Sequence, residues 1–226
     1  MAVTIEIRNL HKQVICPDKS HLTILNVPFL KVEPGEQLLL TGASGSGKTT
    51  LLHALAGLIT PTDGEIYYNN LQFDQLNDAQ KDSWRAEHIG YIFQKLNLLP
   101  SLTVLENVML GGFFAKQSSM VIIKQAALKL LTSVGMGKKT NLKPDCLSLG
   151  EQQRVAVVRA LVKRPVIMLA DEPTASLDPK NAKIILELLK QLCNEARTTL
   201  VLSTHDSRVA QNFSSCYDLQ LGRRLA

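Results

Sequence analysis

The feature that most constrains the fold is a glycine-rich segment, GASGSGKT at positions 42–49, which lies between an apolar run and a predicted helix. It fits the pattern G-x-x-x-x-G-K-[ST]. The run QLLLT before it predicts a buried strand, and the helix after it is expected to end near Gly57. Glycines let successive backbone N–H groups face an anion, and the helix adds its positive end. The segment therefore predicts a nucleotide phosphate site in preference to a structural turn.

The polar residues of this loop are expected to bind different parts of the ligand. Lys48 reaches the β- and γ-phosphates, and the hydroxyl of Thr49 binds Mg²⁺. The other expected contacts with the nucleotide are Gly42, Ala43, Ser44, Gly45, Ser46, Gly47 and Thr50.

A second motif is an apolar run that ends in two carboxylates. Residues 166–170 predict a buried strand, and Asp171 and Glu172 follow it. Ligands of parallel-sheet proteins bind beyond the carboxyl ends of the strands. We therefore expect Asp171 to hold Mg²⁺ and Glu172 to polarise the water that attacks the γ-phosphate. Taken alone, the pair fits a solvated acidic turn equally well, and the phosphate loop decides in favour of a site.

Strands and helices alternate along the rest of the chain, which predicts an α/β fold with a mainly parallel sheet. The segment 179–195 predicts a helix with one apolar face, and residues 95–146 are predicted to be mostly helical. Further strands are predicted at 4–8, at 22–32 with an edge or bulge at Pro28, and at 65–68, 89–93 and 199–204. Helical spacing in the middle segment joins Leu128, Leu131 and Val134 on one face and Ile122, Ala126 and Lys129 on a neighbouring one.

Composition excludes several classes of protein. The chain has 226 residues, 45% of them hydrophobic, and lacks an apolar stretch near the roughly 20 residues that cross a bilayer. Its start alternates like a strand and has no secretion signal, so we expect the protein to stay where it is made. The net charge of +5 permits phosphate contacts, but without a block of like charges we expect no nucleic-acid partner. The four cysteines form no C-x-x-C pair and are expected to be reduced thiols.

The segment LSLGEQQR at 147–154 resembles the signature sequence L-S-G-G-Q of the ATP-binding cassette (ABC) superfamily. Other residues resemble further motifs of that family in the expected order: Gln94 the Q-loop glutamine, Ala175–Asp178 the D-loop, and His205 the switch histidine. The resemblance covers essentially the whole chain. It implies a single P-loop NTPase domain, 1–226. Within it, 1–94 and 147–226 form the core with an N-terminal antiparallel β subdomain, and 95–146 form a helical subdomain inserted before the signature.

The resemblance also implies the roles of the site residues. Two copies, or this chain and a similar one, would close head-to-tail around two ATP molecules. Ser148, Gly150, Glu151 and Asp178 would then contact the ATP held by the partner's phosphate loop. The implied catalytic residues are Lys48, Gln94, Glu172 and His205, and the implied Mg²⁺ ligands are Thr49, Gln94 and Asp171.

This sequence departs from the family pattern at several positions. Leu149 stands where glycine is usual and Glu151 where glutamine is common, so we expect an altered ATPase rate. The D-loop reads Ala-Ser-Leu-Asp in place of Ser-Ala-Leu-Asp. Val14 takes the place of the aromatic residue that stacks on adenine, and valine has no π-face. We therefore expect comparable hydrolysis of ATP and GTP.

The resemblance favours a transport function. The run from Phe93 to Val108 looks most like the branch of lipoprotein-releasing, macrolide-export and antimicrobial-peptide cassettes. It implies a separate transmembrane permease that docks near Gln94 and residues 95–107, and a cytoplasmic location on the inner face of the membrane. Phe113 and Phe114 are expected in the subdomain core or partly exposed, and Trp84 in a core or an interface. The alternative is an ABC ATPase that acts on a soluble assembly complex or a membrane signalling partner. A third class, a phosphate-loop kinase, is disfavoured by the signature, the Asp171–Glu172 pair and His205.

Overall fold

The computed structural model describes residues 3–114 and 119–225. One of its two sheets is antiparallel and contains the N-terminal strands. Its strands are β1 (Ile5–Ile15), β2 (His21–Val32), β4 (Asp63–Tyr68) and β5 (Leu71–Gln72). Their order is β2-β1-β4-β5, so β1 pairs with both β2 and β4. Pro28 lies in the edge strand β2, as expected for a residue without an N–H group.

The second sheet is mainly parallel and forms the centre of the molecule. Its strands are β3 (Gln37–Thr41), β6 (Ile89–Ile92), β7 (Ile167–Asp171), β8 (Thr199–Ser203), β9 (Ser215–Asp218) and β10 (Arg223–Leu225). The order is β10-β9-β3-β8-β7-β6, and only the β9–β10 pair is antiparallel. Every residue of β7 and β8 is buried, which explains their nearly continuous apolar runs. The predicted α/β class with a mainly parallel core is confirmed.

Helices cover the sheets. They are α1 (Lys48–Leu55), α2 (Asp78–His88), α3 (Val104–Phe113), α4 (Met120–Ser133), α5 (Leu149–Leu161), α6 (Pro179–Ala196) and α7 (Ser207–Ala210). Helices α2 to α6 begin at side-chain caps. Capping boxes start α2 at Asn77, α3 at Thr103 and α5 at Ser148. The sequence analysis did not predict α2, although Asn77 and the glutamine three residues later form its capping box.

The helical segment has its own apolar cluster, to which α3, α4 and α5 contribute. The buried face of α4 consists of Ile123, Ala127 and Leu131. The predicted faces were therefore wrong in part, because Ile122 and Leu128 are exposed and Ile123 was not included. The sequence pattern was ambiguous because the apolar residues of α4 are distributed around most of its circumference.

Helix α5 belongs to two clusters at once. Val155 and Val158 pack with α3 and α4, whereas Val157 and Leu161 pack with the helices and strands of the parallel sheet. The approach to α3 is close: a Cβ atom on Gly111 would lie 1.9 Å from the carbonyl oxygen of Arg159. Only glycine fits there, so α5 is held tightly against the helical segment as well as the sheet.

The structure shows the environments of Trp84, Phe113 and Phe114, for each of which the sequence allowed two possibilities. Trp84 stacks on Tyr68, with ring centroids 4.2 Å apart, and packs against the core cluster of the antiparallel sheet. Phe113 and Phe114 are exposed, and they contact each other edge to face. Within residues 3–114 and 119–225, no helix is both long enough and apolar enough to span a membrane. All four cysteines are free thiols.

Candidate functional site

The glycine-rich loop joins the end of β3 to the start of α1, which begins at Lys48. Gly47 has a φ of 94°, and a Cβ atom there would lie 2.5 Å from the carbonyl oxygen of Ile24. Gly42 has a φ of 140°, and a Cβ atom there would lie 2.6 Å from the hydroxyl of Ser46. Backbone conformation and space both require glycine at these two positions. Without side chains at these two positions, the loop leaves its backbone accessible to a ligand.

Lys48 is held inside this loop. Its side chain is almost fully buried, and Nζ donates to the carbonyl oxygens of Gly42 at 2.7 Å and Ala43 at 2.9 Å. Among the residues that the structure describes, no carboxylate forms an ion pair with it. A buried ammonium group without an acidic partner favours an anionic ligand.

A cleft of about 420 Å³ lies over the loop and gathers most of the predicted site. Its walls come from the loop, the start of α1, the carboxyl end of β7 and the segments that follow β6 and β8. The lining residues are Ile24, Ser44, Gly45, Gly47, Lys48, Thr49, Thr50, Gln94, Asp171, Glu172 and His205. Ile24 is the one residue of this lining that the sequence analysis missed, because its place in an alternating strand gave no signal.

The two carboxylates differ in their surroundings. Asp171 is the last residue of β7 and is buried, and its Oδ1 accepts a hydrogen bond of 2.6 Å from the hydroxyl of Ser203. The Glu172 side chain is only 10% exposed, and its Oε1 lies 2.8 Å from Nδ1 of His205. Its other oxygen, Oε2, is buried without a hydrogen-bond partner. An unsatisfied carboxylate oxygen in a cleft is well suited to accept a proton from water.

Glu172 also has a strained backbone. Its φ is 46°, in the left-handed region that residues other than glycine rarely adopt. Its N–H donates to the carbonyl oxygen of Ser203 at 3.1 Å, which helps to hold this conformation. Such strain costs on the order of 1–3 kcal/mol and is concentrated at functional sites.

The segment after Gln94 is fixed by two side chains that the sequence analysis did not identify. Gln94 is exposed and lines the cleft. Arg159 of α5 donates to the carbonyl oxygens of Leu96 at 2.5 Å and Asn97 at 2.7 Å. Burial lowers the pKa of Arg159 from its usual value, and the guanidinium nevertheless stays charged.

Asn107 organises the rest of this loop. Its side chain is fully buried and donates to the carbonyl oxygens of Leu99, Leu102 and Thr103, while its Oδ1 accepts from the N–H of Leu99. The segment that follows Gln94 is therefore tied to both α3 and α5. Arg159 reaches carbonyl groups 62 and 63 residues away along the chain, which no sequence signal indicates, whereas the carbonyl partners of Asn107 are four to eight residues away.

The signature residues lie outside the cleft lining. Ser148 and Leu149 are exposed at the start of α5, and Gly150 is half-buried. Glu151 accepts from the N–H of Ser148 at 3.1 Å and from Nζ of Lys139 at 2.6 Å. The hydrogen bond from Lys139 and the Ser148 N–H hold the pKa of Glu151 below its usual value.

Two other predicted contacts also lie outside the cleft lining. Val14 is on β1 opposite Leu22, with 37% of its surface exposed. Asp178 caps the start of α6, where its side chain accepts from the N–H groups of Lys180 and Asn181. Hydrogen bonds from the Asn181 side chain and backbone, in that order, lower the pKa of Asp178.

The donor set of the cleft fits Mg²⁺. Thr49, Gln94 and Asp171 offer a hydroxyl, an amide oxygen and a carboxylate, which are oxygen ligands of the kind that Mg²⁺ prefers. The described residues contain no group of three or more His, Cys, Asp or Glu side chains that could hold a metal ion. Mg²⁺ is commonly held by one or two carboxylates together with phosphates and water.

Comparison with known proteins now identifies the family. The family model for ABC transporters matches residues 25–175, and the chain belongs to this family. The chain is thus an ATP-hydrolysing ABC cassette, as its sequence predicted, and the kinase alternative was wrong.

Two relatives carry the same description, lipoprotein-releasing system ATP-binding protein LolD. The protein from Acinetobacter baylyi is 40% identical over 97% of this chain and 96% of its own length. The one from Xanthomonas axonopodis pv. citri is 44% identical over 86% of this chain and 79% of its own length. The predicted resemblance to the lipoprotein-releasing branch agrees with these relatives.

Solved structures support the same assignment. The ATP-binding cassette MJ0796 in a dimeric post-hydrolysis state, bound to ADP and Pi, has a TM-score of 0.87 and 36% identity, and the match covers 98% of this chain and 97% of that one. A second dimeric structure of MJ0796 has a TM-score of 0.86 and 38% identity, covering 95% of this chain and 94% of that one. Both are described as dimers, in agreement with the predicted pairing of two cassettes.

Proposed function

We propose that this chain is the ATP-hydrolysing subunit of a transporter that extracts or exports a lipid-modified protein through a separate membrane subunit. The observation that carries the ATPase part is the convergence of Lys48, Asp171, Glu172 and His205 on one cleft. The transport part is supported by relatives that are 40–44% identical and are described as lipoprotein-releasing. The chain would work on the cytoplasmic side of the membrane that holds this subunit.

In the proposed reaction, the phosphates of ATP lie along the loop that ends at Lys48, whose ammonium group moves from loop carbonyls to phosphate oxygens. Thr49, Gln94 and Asp171 would hold Mg²⁺, which neutralises charge on the phosphates when bound. Glu172 orients the attacking water, and its unpaired Oε2 takes the proton from it. His205 fixes the other carboxylate oxygen and reaches the γ-phosphate from the same side.

We propose further that catalysis needs a second cassette. Ser148, Leu149 and Gly150 are accessible and lie outside the cleft of their own chain. The start of α5 offers N–H groups and a hydroxyl to an anion. In a head-to-tail pair, this surface covers the ATP in the partner's cleft, and Asp178 lies at the same interface.

The substitution Glu172→Gln tests the ATPase mechanism. It removes the proton acceptor and keeps the shape of the side chain, so hydrolysis should fall by about 100-fold or more while ATP binding is retained. The variant should accumulate as a dimer with ATP in size-exclusion chromatography with light scattering. Glu187→Gln is the matched control, since Glu187 is exposed on α6 and makes only a long ion pair with Lys183. A monomeric and fully active Glu172→Gln protein would overturn the mechanism.

Capture of tagged Glu172→Gln protein from membranes of its own host, with ATP present, tests the transport function. We expect mass spectrometry to find a membrane protein with several spans and a lipid-modified protein bound to it. Recovery of soluble proteins alone would support the alternative of an ABC ATPase that acts on an assembly complex. A membrane protein without any lipid-modified cargo would favour the signalling alternative.

A further inference from the structure

Ser203 lies between the two carboxylates of the cleft. It is the last residue of β8 and pairs with Asp171 of β7 in the parallel register. Its hydroxyl donates to Oδ1 of Asp171 at 2.6 Å and accepts from the backbone N–H of Glu172 at 3.2 Å. One hydroxyl group therefore contacts both residues of the acidic pair.

Ser203 follows an apolar part of β8. The side chain is fully buried, and its strand neighbours Val201 and Leu202 are fully buried as well. A buried hydroxyl group lowers stability unless it is hydrogen-bonded, and the bonds described for this one go to Asp171 and Glu172. An apolar residue could occupy this buried position, but it could not make these two hydrogen bonds.

We infer that Ser203 is a positioning residue for magnesium and for the catalytic glutamate, an inference that rests on the roles proposed above for Asp171 and Glu172. By donating to Oδ1, the hydroxyl fixes the rotation of the Asp171 carboxylate before the metal arrives. By accepting from the Glu172 N–H, it helps to hold the backbone at a φ of 46°. Hydrogen-bond partners that orient a metal ligand commonly change metal affinity by about 10- to 100-fold when they are removed.

The experiment measures metal binding separately from activity. In complexes with ADP, the affinity for Mn²⁺ is measured by electron paramagnetic resonance for wild type, Ser203→Ala, Ser203→Cys and Ser203→Thr. Alanine lacks the hydroxyl and a thiol is a weak donor, so both variants should bind Mn²⁺ about tenfold more weakly. Threonine keeps the hydroxyl and should stay within about threefold of wild type.

Two further readouts distinguish positioning from a general loss of structure. ADP affinity in EDTA should change less than about twofold in Ser203→Ala, because the phosphate loop is untouched. The Mg²⁺ concentration that gives half-maximal ATPase activity should rise by about the same factor as the Mn²⁺ dissociation constant. Thr199→Val is the matched control, since it removes a buried hydroxyl from the other end of the same strand, and it should leave Mn²⁺ affinity unchanged.

The outcomes separate this inference from the proposed function. If Asp171→Asn binds Mn²⁺ as well as wild type does, Asp171 is not a metal ligand and the proposed function fails at that residue. If Asp171→Asn loses the metal while Ser203→Ala and Ser203→Cys bind it normally, the inference about Ser203 is wrong. Equal losses in Ser203→Ala and Thr199→Val would likewise overturn it, because the effect would then come from the strand.

Discussion

The cleft over the phosphate loop and the exposed start of α5 differ in how many of their functional groups already have partners within the chain. In the cleft, each charged group already has partners from its own chain: Lys48 contacts loop carbonyls, Asp171 contacts Ser203, and Glu172 contacts His205. At the start of α5, Ser148 and Leu149 are exposed and lie outside the lining of this cleft. One chain therefore gathers charged groups that have partners in its cleft, whereas the start of α5 presents exposed residues that are open to contact with another molecule.

The largest change in ATPase activity is expected when two impaired variants are mixed, which tests whether the cleft of one chain works with the signature of another. Lys48→Met should lose ATPase activity by about 100-fold and Ser148→Arg by about tenfold or more, because each removes one half of a shared site. A mixed pair would contain one site with neither substitution. ATPase activity should therefore recover when the two proteins are combined, as measured by phosphate release. No recovery in pairs shown to be mixed would mean that cleft and signature act within one chain.

Val14→Tyr tests whether the base of the nucleotide lies against β1. The wild-type protein should hydrolyse ATP and GTP at comparable rates, because valine gives no stacking preference. The tyrosine should lower the KM for ATP and for GTP alike by about fivefold, since aromatic stacking adds roughly 1 kcal/mol with either base. Ile15→Tyr, on the next and more exposed residue, is the control. A strong preference of the wild type for ATP would contradict the prediction.

Leu149→Gly tests whether the leucine hinders the approach of the partner's phosphate. Because this side chain is 43% exposed at the start of α5, its removal should raise the ATPase rate by about threefold without changing nucleotide affinity of the monomer. Leu142→Gly removes a similarly exposed leucine that lies outside the signature segment 147–154, and it should leave the rate unchanged. A lower rate in Leu149→Gly would mean that the leucine contributes to the contact.

The smallest expected effect concerns the ion pair between Lys139 and Glu151 beside the signature. Because the pKa of Glu151 is lowered, this pair stabilises the folded state above about pH 4.3 and the contribution is lost as the pH falls through the folded-state pKa. Lys139→Ala should therefore cost at most about 1 kcal/mol at pH 7, since the pair is partly exposed. Urea unfolding should show that the difference in stability between the two proteins shrinks as the pH is lowered below about 4.3. A difference that does not change with pH would assign the loss to packing.

The sequence predicted the parallel sheet and most of the cleft because those features depend on short segments. The loop that ends at Lys48 and the strand that ends at Asp171 carry their chemistry in consecutive residues. Ser203 and Arg159 were missed because their contacts are 32 and 62–63 residues away along the chain. Helix α2 was missed for another reason: Lys81 is its only buried residue, so it has hardly any apolar periodicity.

The tight packing of α5 has a consequence for communication between the two sites of a pair. Its first turn carries Ser148, and its last turn carries Arg159, which binds the backbone just after Gln94. Gly111 allows no gap between α5 and α3, and the opposite face of α5 is buried against the sheet. The helix is therefore a rigid connection about 20 Å long, given 13 residues at about 1.5 Å each. In the proposed pair, a displacement at Ser148 would therefore move the backbone that follows Gln94.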